Sequence, residues 1–109
     1  MRKVTAKGHL KTSTMNKTEA AYANRLELLL RTGEVLWYKF EGVRLRLADD
    51  SYFKPDFAVM VKDGTLEIHE VKGFWWEAAK VRIRVAADIY PFRFLAVKAE
   101  KGGWEVEIF

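Results

Sequence analysis

Residues 55–73 constrain this chain more than any other stretch. They read Pro55-Asp56, an apolar run from Phe57 to Val61, a turn at Lys62-Asp63-Gly64, then Thr65-Leu66-Glu67-Ile68-His69-Glu70-Val71-Lys72-Gly73. Two β-prone runs joined through Asp-Gly predict an antiparallel hairpin. The start of its first strand then lies beside the end of its second, so Asp56 approaches Glu70. Residues two apart on a strand share a face, so Lys72 joins them. Charged side chains in or at the ends of apolar strands are costly unless paired or bound to a metal ion. Two carboxylates offer hard oxygens suited to Mg2+ or Mn2+. A neighbouring ammonium can orient or deprotonate a water, or stabilise developing charge. The competing explanation is a strand-end salt bridge between Glu70 and Lys72. Against it, Pro55-Asp56 and Glu70-x-Lys72 are the only P-D and E-x-K in the chain, and one hairpin joins them.

The chain's 109 residues suggest one domain, and half of them are hydrophobic, enough for a core at this length. There is no cysteine, and His9 and His69 are the only histidines, so thiolate and histidine-built metal sites are disfavoured. No apolar run approaches the ~18 residues of a membrane span, and no signal-peptide core opens the chain. The expectation is an intracellular, soluble protein. Net charge is +4 and the pI about 9.4, compatible with nucleic acid. Arg2, Lys3, Lys7, Lys11 and Lys17 fall in the first 18 residues with no acid among them. Residues 1–15 therefore read as a flexible basic arm able to neutralise phosphates, or as a solvated tail, ahead of a single domain over 16–109.

Asn16 and Glu19 form a capping-box pattern ahead of a helix over Ala20–Leu30, with Ala23, Leu26 and Leu30 on one face and Gly33 as the stop. Glu19 is either only a cap or a third carboxylate brought to the hairpin end. Val35–Phe40 is β-prone. Val43–Leu47 alternates, with Arg44 and Arg46 outward. Pro55 blocks a ladder bond and is expected at an edge or bulge. After Gly73, Phe74-Trp75-Trp76 cannot all face one core, so Trp75 either packs or stacks on a base. Over Glu77–Tyr90, Ala78, Val81, Val85, Ala86 and Ile89 share a helical face, and Pro91 ends the run. Lys80 and Arg84 lie one turn apart, either gripping phosphate or paired with Glu77 and Asp88. Phe92–Val97 is a strand, residues 98–103 a loop, and Trp104–Ile108 a strand with Glu105 and Glu107 outward. The order helix, three strands, helix, two strands makes the strands flanking the second helix parallel. The expected class is α/β of mixed α+β character, a mixed sheet flanked by helices.

Pro55-Asp56 followed by Glu70-Val71-Lys72, between a helix bearing Glu19 and a second helix, resembles the PD-(D/E)XK nuclease superfamily. The run from Tyr52 to Tyr90, including Lys54-Pro55-Asp56-Phe57 and His69-Glu70-Val71-Lys72-Gly73-Phe74-Trp75, is similar to a phage-encoded, endonuclease-like family formerly of unknown function. The resemblance covers about residues 15–109. It implies a restriction-endonuclease-like core and a Mg2+- or Mn2+-dependent DNA endonuclease. Asp56, Glu70 and the Val71 carbonyl would hold the metal, Lys72 would position water, and Glu19 would be the first-helix acid. Lys54, Trp75, Lys80, Arg84, Lys11 and Lys17 are the expected DNA contacts. No base-reading module is evident, which favours branched, Holliday-junction-like DNA and a homodimer. A nonspecific or nicking nuclease and a non-catalytic DNA-binding module are the alternatives. The expected place of action is the cytoplasm of a bacterial host, the gene being of phage or prophage origin.

Overall fold

The computed structural model describes residues 14–75 and 77–109. The expectations for Lys11, most of the basic arm and Trp76 fall outside them. The first helix, α1, is Lys17–Thr32, and Asn16 caps it. Asn16 Oδ1 accepts the Glu19 N–H at 2.8 Å, and Glu19 Oε1 accepts the Asn16 N–H at 2.9 Å. Two of the otherwise unpaired N–H groups at the helix start are thus satisfied. Gly33 stops the helix at φ +85°, a left-handed conformation that glycine adopts without a Cβ clash.

Then follow β1 (Val35–Phe40), β2 (Leu45–Ala48), β3 (Ser51–Phe53), β4 (Phe57–Val61), β5 (Leu66–Lys72), α2 (Glu77–Ile89), β6 (Arg93–Glu100) and β7 (Gly103–Ile108). The main sheet has the order β1-β4-β5-β6-β7, and β2 and β3 form a separate pair. Counted within the main sheet, the chain runs helix, three strands, helix, two strands. The β2–β3 hairpin is an excursion between β1 and β4, and β3 is a strand not read from the sequence. The Asp63-Gly64 turn joins β4 and β5 antiparallel, and β5 and β6 are parallel across α2. The class is therefore mixed α/β, a mixed five-stranded sheet with two helices. Among the described residues no helix is long and apolar enough to cross a membrane.

The sheet has a core on each face. Tyr22 and Leu26 of α1 pack on Phe57, Val59, Val71, Leu95 and Val97. On the other face Ile83 and Ala86 of α2, with Leu45 and Phe53 of the small hairpin, pack on Ala58, Ile68, Phe94 and Ala96. Strands β4 and β6 are therefore near-continuous apolar runs, as strands covered on both faces are.

Four local expectations are corrected. Pro55 is buried just ahead of β4, an interior strand, and loses no ladder bond because the ladder starts after it. Strand β6 runs on to Glu100, and Lys101-Gly102 makes a tight turn with Gly102 at φ +81°, where a longer loop was expected. The apolar line Val81, Val85, Ile89 of α2 does not meet the sheet; Ile83 and Ala86 do. Val106 and Ile108 of β7 are also exposed, because β7 is an edge strand.

Candidate active site

The register of β4 and β5 positions the acids. Phe57 pairs with His69 and Ala58 with Ile68, so the next step sets Asp56 opposite Glu70. Ala58 and Ile68 face α2, and by alternation Asp56, Glu70 and Lys72 project to that side. Each acid is anchored by the backbone of the other's strand. Asp56 donates its N–H to Glu70 Oε1 at 2.9 Å, and Asp56 Oδ2 accepts the Val71 N–H at 2.8 Å. One oxygen of each carboxylate is thus committed to backbone. Lys72 Nζ lies 3.7 Å from Glu70 Oε2. The strand-end salt bridge and the convergence with Asp56 coexist.

Glu19 reaches the same place from α1. A Cβ built on Gly73 would lie 3.6 Å from Thr18 Oγ1, so the exit of β5 abuts the first turn of this helix. Burial, chiefly, and the adjacent Glu70 charge push the Asp56 carboxyl from 3.8 up to about 8; Glu19 adds to the rise and the Val71 N–H opposes it. Glu70 is likewise raised, first by burial, with the Lys72 ammonium pulling it back. Asp56 is only 7% exposed. The result is a knot of acids around the buried Asp56, with Lys72 as its adjoining cation, a perturbation typical of functional sites. Glu19 is both the helix cap and an electrostatic neighbour of this knot.

Glu70 and Lys72 open onto a cleft of about 400 Å3 that Phe53, Ala78, Ala79 and Arg82 complete. Arg82 is a cation the sequence reading passed over; its signal was its place one turn after Ala78 on the same helix. A larger hollow, about 610 Å3, lies on the α1 face under Tyr22, Leu26, Val59 and Leu95. Its acids Glu34 and Glu67 are paired, with Lys62 and with His69 and Arg93, so size is a poorer guide here than chemistry.

The remaining expected contacts are elsewhere engaged. Lys54 pairs with Glu41 at 3.6 Å, Lys80 with Glu107 at 2.7 Å, and Arg84 with Glu77 at 2.9 Å. Lys17 lies in a shallow depression beside Trp104. Trp75 is half-buried against the α2-side core and donates Nε1–H to the Val97 carbonyl at 3.1 Å. Its neighbour Phe74 is the more exposed ring. Val71, expected to contribute its carbonyl, contributes its N–H to Asp56.

A second polar group on β5 also went unread. Tyr22 Oη lies 2.7 Å from His69 Nδ1, His69 Nε2 2.9 Å from Glu67 Oε1, and Arg93 Nη1 2.8 Å from Glu67 Oε2. The His69 hydrogen bond holds the Glu67 carboxyl below its ordinary range. Glu67 and His69 alternate on a strand covered on both faces, where every polar side chain needs a partner. Comparison of the chain with protein-family models, with curated proteins and with solved structures returns no match.

Proposed function

We propose that this chain is a Mg2+- or Mn2+-dependent endonuclease that hydrolyses DNA phosphodiester bonds at the Asp56–Glu70–Lys72 cluster. The observation that carries the reading is the facing pair of buried Asp56 and half-buried Glu70 at the end of one hairpin, with raised proton affinities and an ammonium alongside. The superfamily pattern on the same residues supports it. Among the described residues no group of three or more His, Asp or Glu side chains forms a ready metal cage. Two carboxylates with one oxygen each left over from backbone bonding suit an ion that keeps waters and takes substrate oxygens, as Mg2+ does.

Asp56 and Glu70 would hold the ion with the Val71 carbonyl, and Glu19 would add a carboxylate from α1. When bound, the ion would supply Lewis-acid charge at the phosphate and acidify water. Lys72 would orient the attacking water and offset charge on the phosphoryl oxygens. Among the described residues no element is evident for reading bases, which favours branched DNA recognised by shape; the place of action would be the cytoplasm of a bacterial host. The lack of a ready three-ligand group favours a second reading, a non-catalytic DNA-binding module on the same scaffold.

Incubating the protein with junction, flap and linear DNA, and with RNA, in Mg2+ and in EDTA separates these. Metal-dependent cleavage of DNA that is lost in Glu70→Ala supports the nuclease. Binding without cutting supports the module. Neither binding nor cutting sinks both.

A further inference from the structure

The outward side of α2 carries Val81, Val85 and Ile89, one per turn, at 50%, 39% and 49% exposure. A solvent-facing helix side is ordinarily polar. The helix already buries Ile83 and Ala86 against the sheet, so the stripe is an additional apolar surface. Its flanking charges are arranged in a particular way. At 100° per residue, Arg82 stands about 60° to one side of Val85 and Asp88 about 60° to the other, each three residues from it. Glu77 pairs with Arg84, and Lys80 with Glu107, whereas Arg82 and Asp88 have no ion pair among the described residues.

We infer that this face of α2 docks a second copy of the same chain. Let a two-fold axis lie in the interface through Val85, with the two helices crossing at roughly a right angle. Val81, Val85 and Ile89 then each meet their own counterparts along the axis. Arg82 of each copy faces the partner subunit's Asp88, and symmetry makes that pair twice. The mirror-related crossing sets Arg82 against Arg82, so the charges select one hand. Arg82 also lines the cleft beside Glu70 and Lys72, so the interface borders both clefts. The inference does not rest on catalysis: a dimer that cuts nothing leaves it intact.

Sedimentation velocity on the full chain from about 5 to about 500 μM tests it. One helix crossing is a small interface, so a reversible dimer with a micromolar Kd is expected. Val85→Asp should leave monomer throughout. Arg82→Asp and Asp88→Arg should each raise Kd about tenfold or more, and the two together should return it to within about threefold of the parent. Circular dichroism melting checks that the variants fold; if Val85→Asp does not, the charge exchange decides. A monomer at all concentrations, a dimer indifferent to Val85→Asp, or a double exchange no tighter than the single changes would each overturn the inference.

Discussion

Glu67 and Glu70 lie three residues apart on β5 and project to opposite faces of one sheet. Glu67 is matched: His69 and Arg93 take its two oxygens, and its carboxyl is held low. Glu70 is less well matched: the Asp56 N–H and the partly exposed Lys72 ammonium compensate it only in part, and burial drives its carboxyl up. A buried charge with its partners in place behaves as part of the framework. A buried charge short of partners costs stability that packing must offset, and persists where it does something else. The two acids are thus internal controls for each other.

The largest expected effect is on catalysis. On the proposed reading, Glu70→Ala, Asp56→Asn and Lys72→Ala each lower metal-dependent cleavage by about a hundredfold or more, with DNA binding largely retained in a mobility-shift assay. Full activity in Glu70→Ala would erase the contrast at once. Next, Glu67→Ala strands Arg93 and half of the His69 bonding, and should cost about 3 kcal/mol in urea unfolding. Glu70→Gln in metal-free protein should cost under about 0.5 kcal/mol or stabilise, because it removes a charge that burial disfavours. Equal losses from the two changes would make both acids structural.

A third prediction concerns pH. Between about 4 and about 8 the folded chain keeps a proton on Asp56 that the unfolded chain has released. Native protein then binds more protons than unfolded, so metal-free stability falls as pH rises through that window. Melting at pH 5 and pH 8 should differ by about 1 kcal/mol or more, and Asp56→Asn should flatten the difference. Adding Mg2+ at pH 8 should recover the loss in the parent chain but not in Asp56→Asn, since binding requires the ionised acid. The smallest effect is at the cap: Asn16→Ala should cost about 1 kcal/mol.

How much of this was legible follows from the range of the interactions. The capping box at Asn16 and Glu19, the Asp63-Gly64 hairpin and the parallel crossover through α2 are governed by neighbours in sequence or by chain handedness, and they read directly. The cluster of Asp56, Glu70 and Lys72 was legible for the same reason, being built on one hairpin. The orientation of α2 was not. Its outward Val81-Val85-Ile89 repeat has the same period as a buried face, and only the sheet beneath shows that Ile83 and Ala86 are the inner residues. The Tyr22–His69–Glu67–Arg93 chain was hidden because its members are separated by up to 71 positions along the sequence yet join three elements, α1, β5 and β6, in space. Tyr22, between Ala21 and Ala23, carries no local sign of its partner 47 positions away.

The place of β5 in the sheet has a consequence for the order in which the molecule comes into being. Glu19, Asp56, Glu70 and Lys72 have all been synthesised by residue 72, yet the strand bearing two of them is central, with one edge bare until β6 arrives. That edge closes only after α2 has crossed over and Trp75 has found the Val97 carbonyl. The acids therefore gain a closed sheet around them only once residues 73–97 have been made, so a product truncated at residue 72 holds every one of these groups on a hairpin with one edge open.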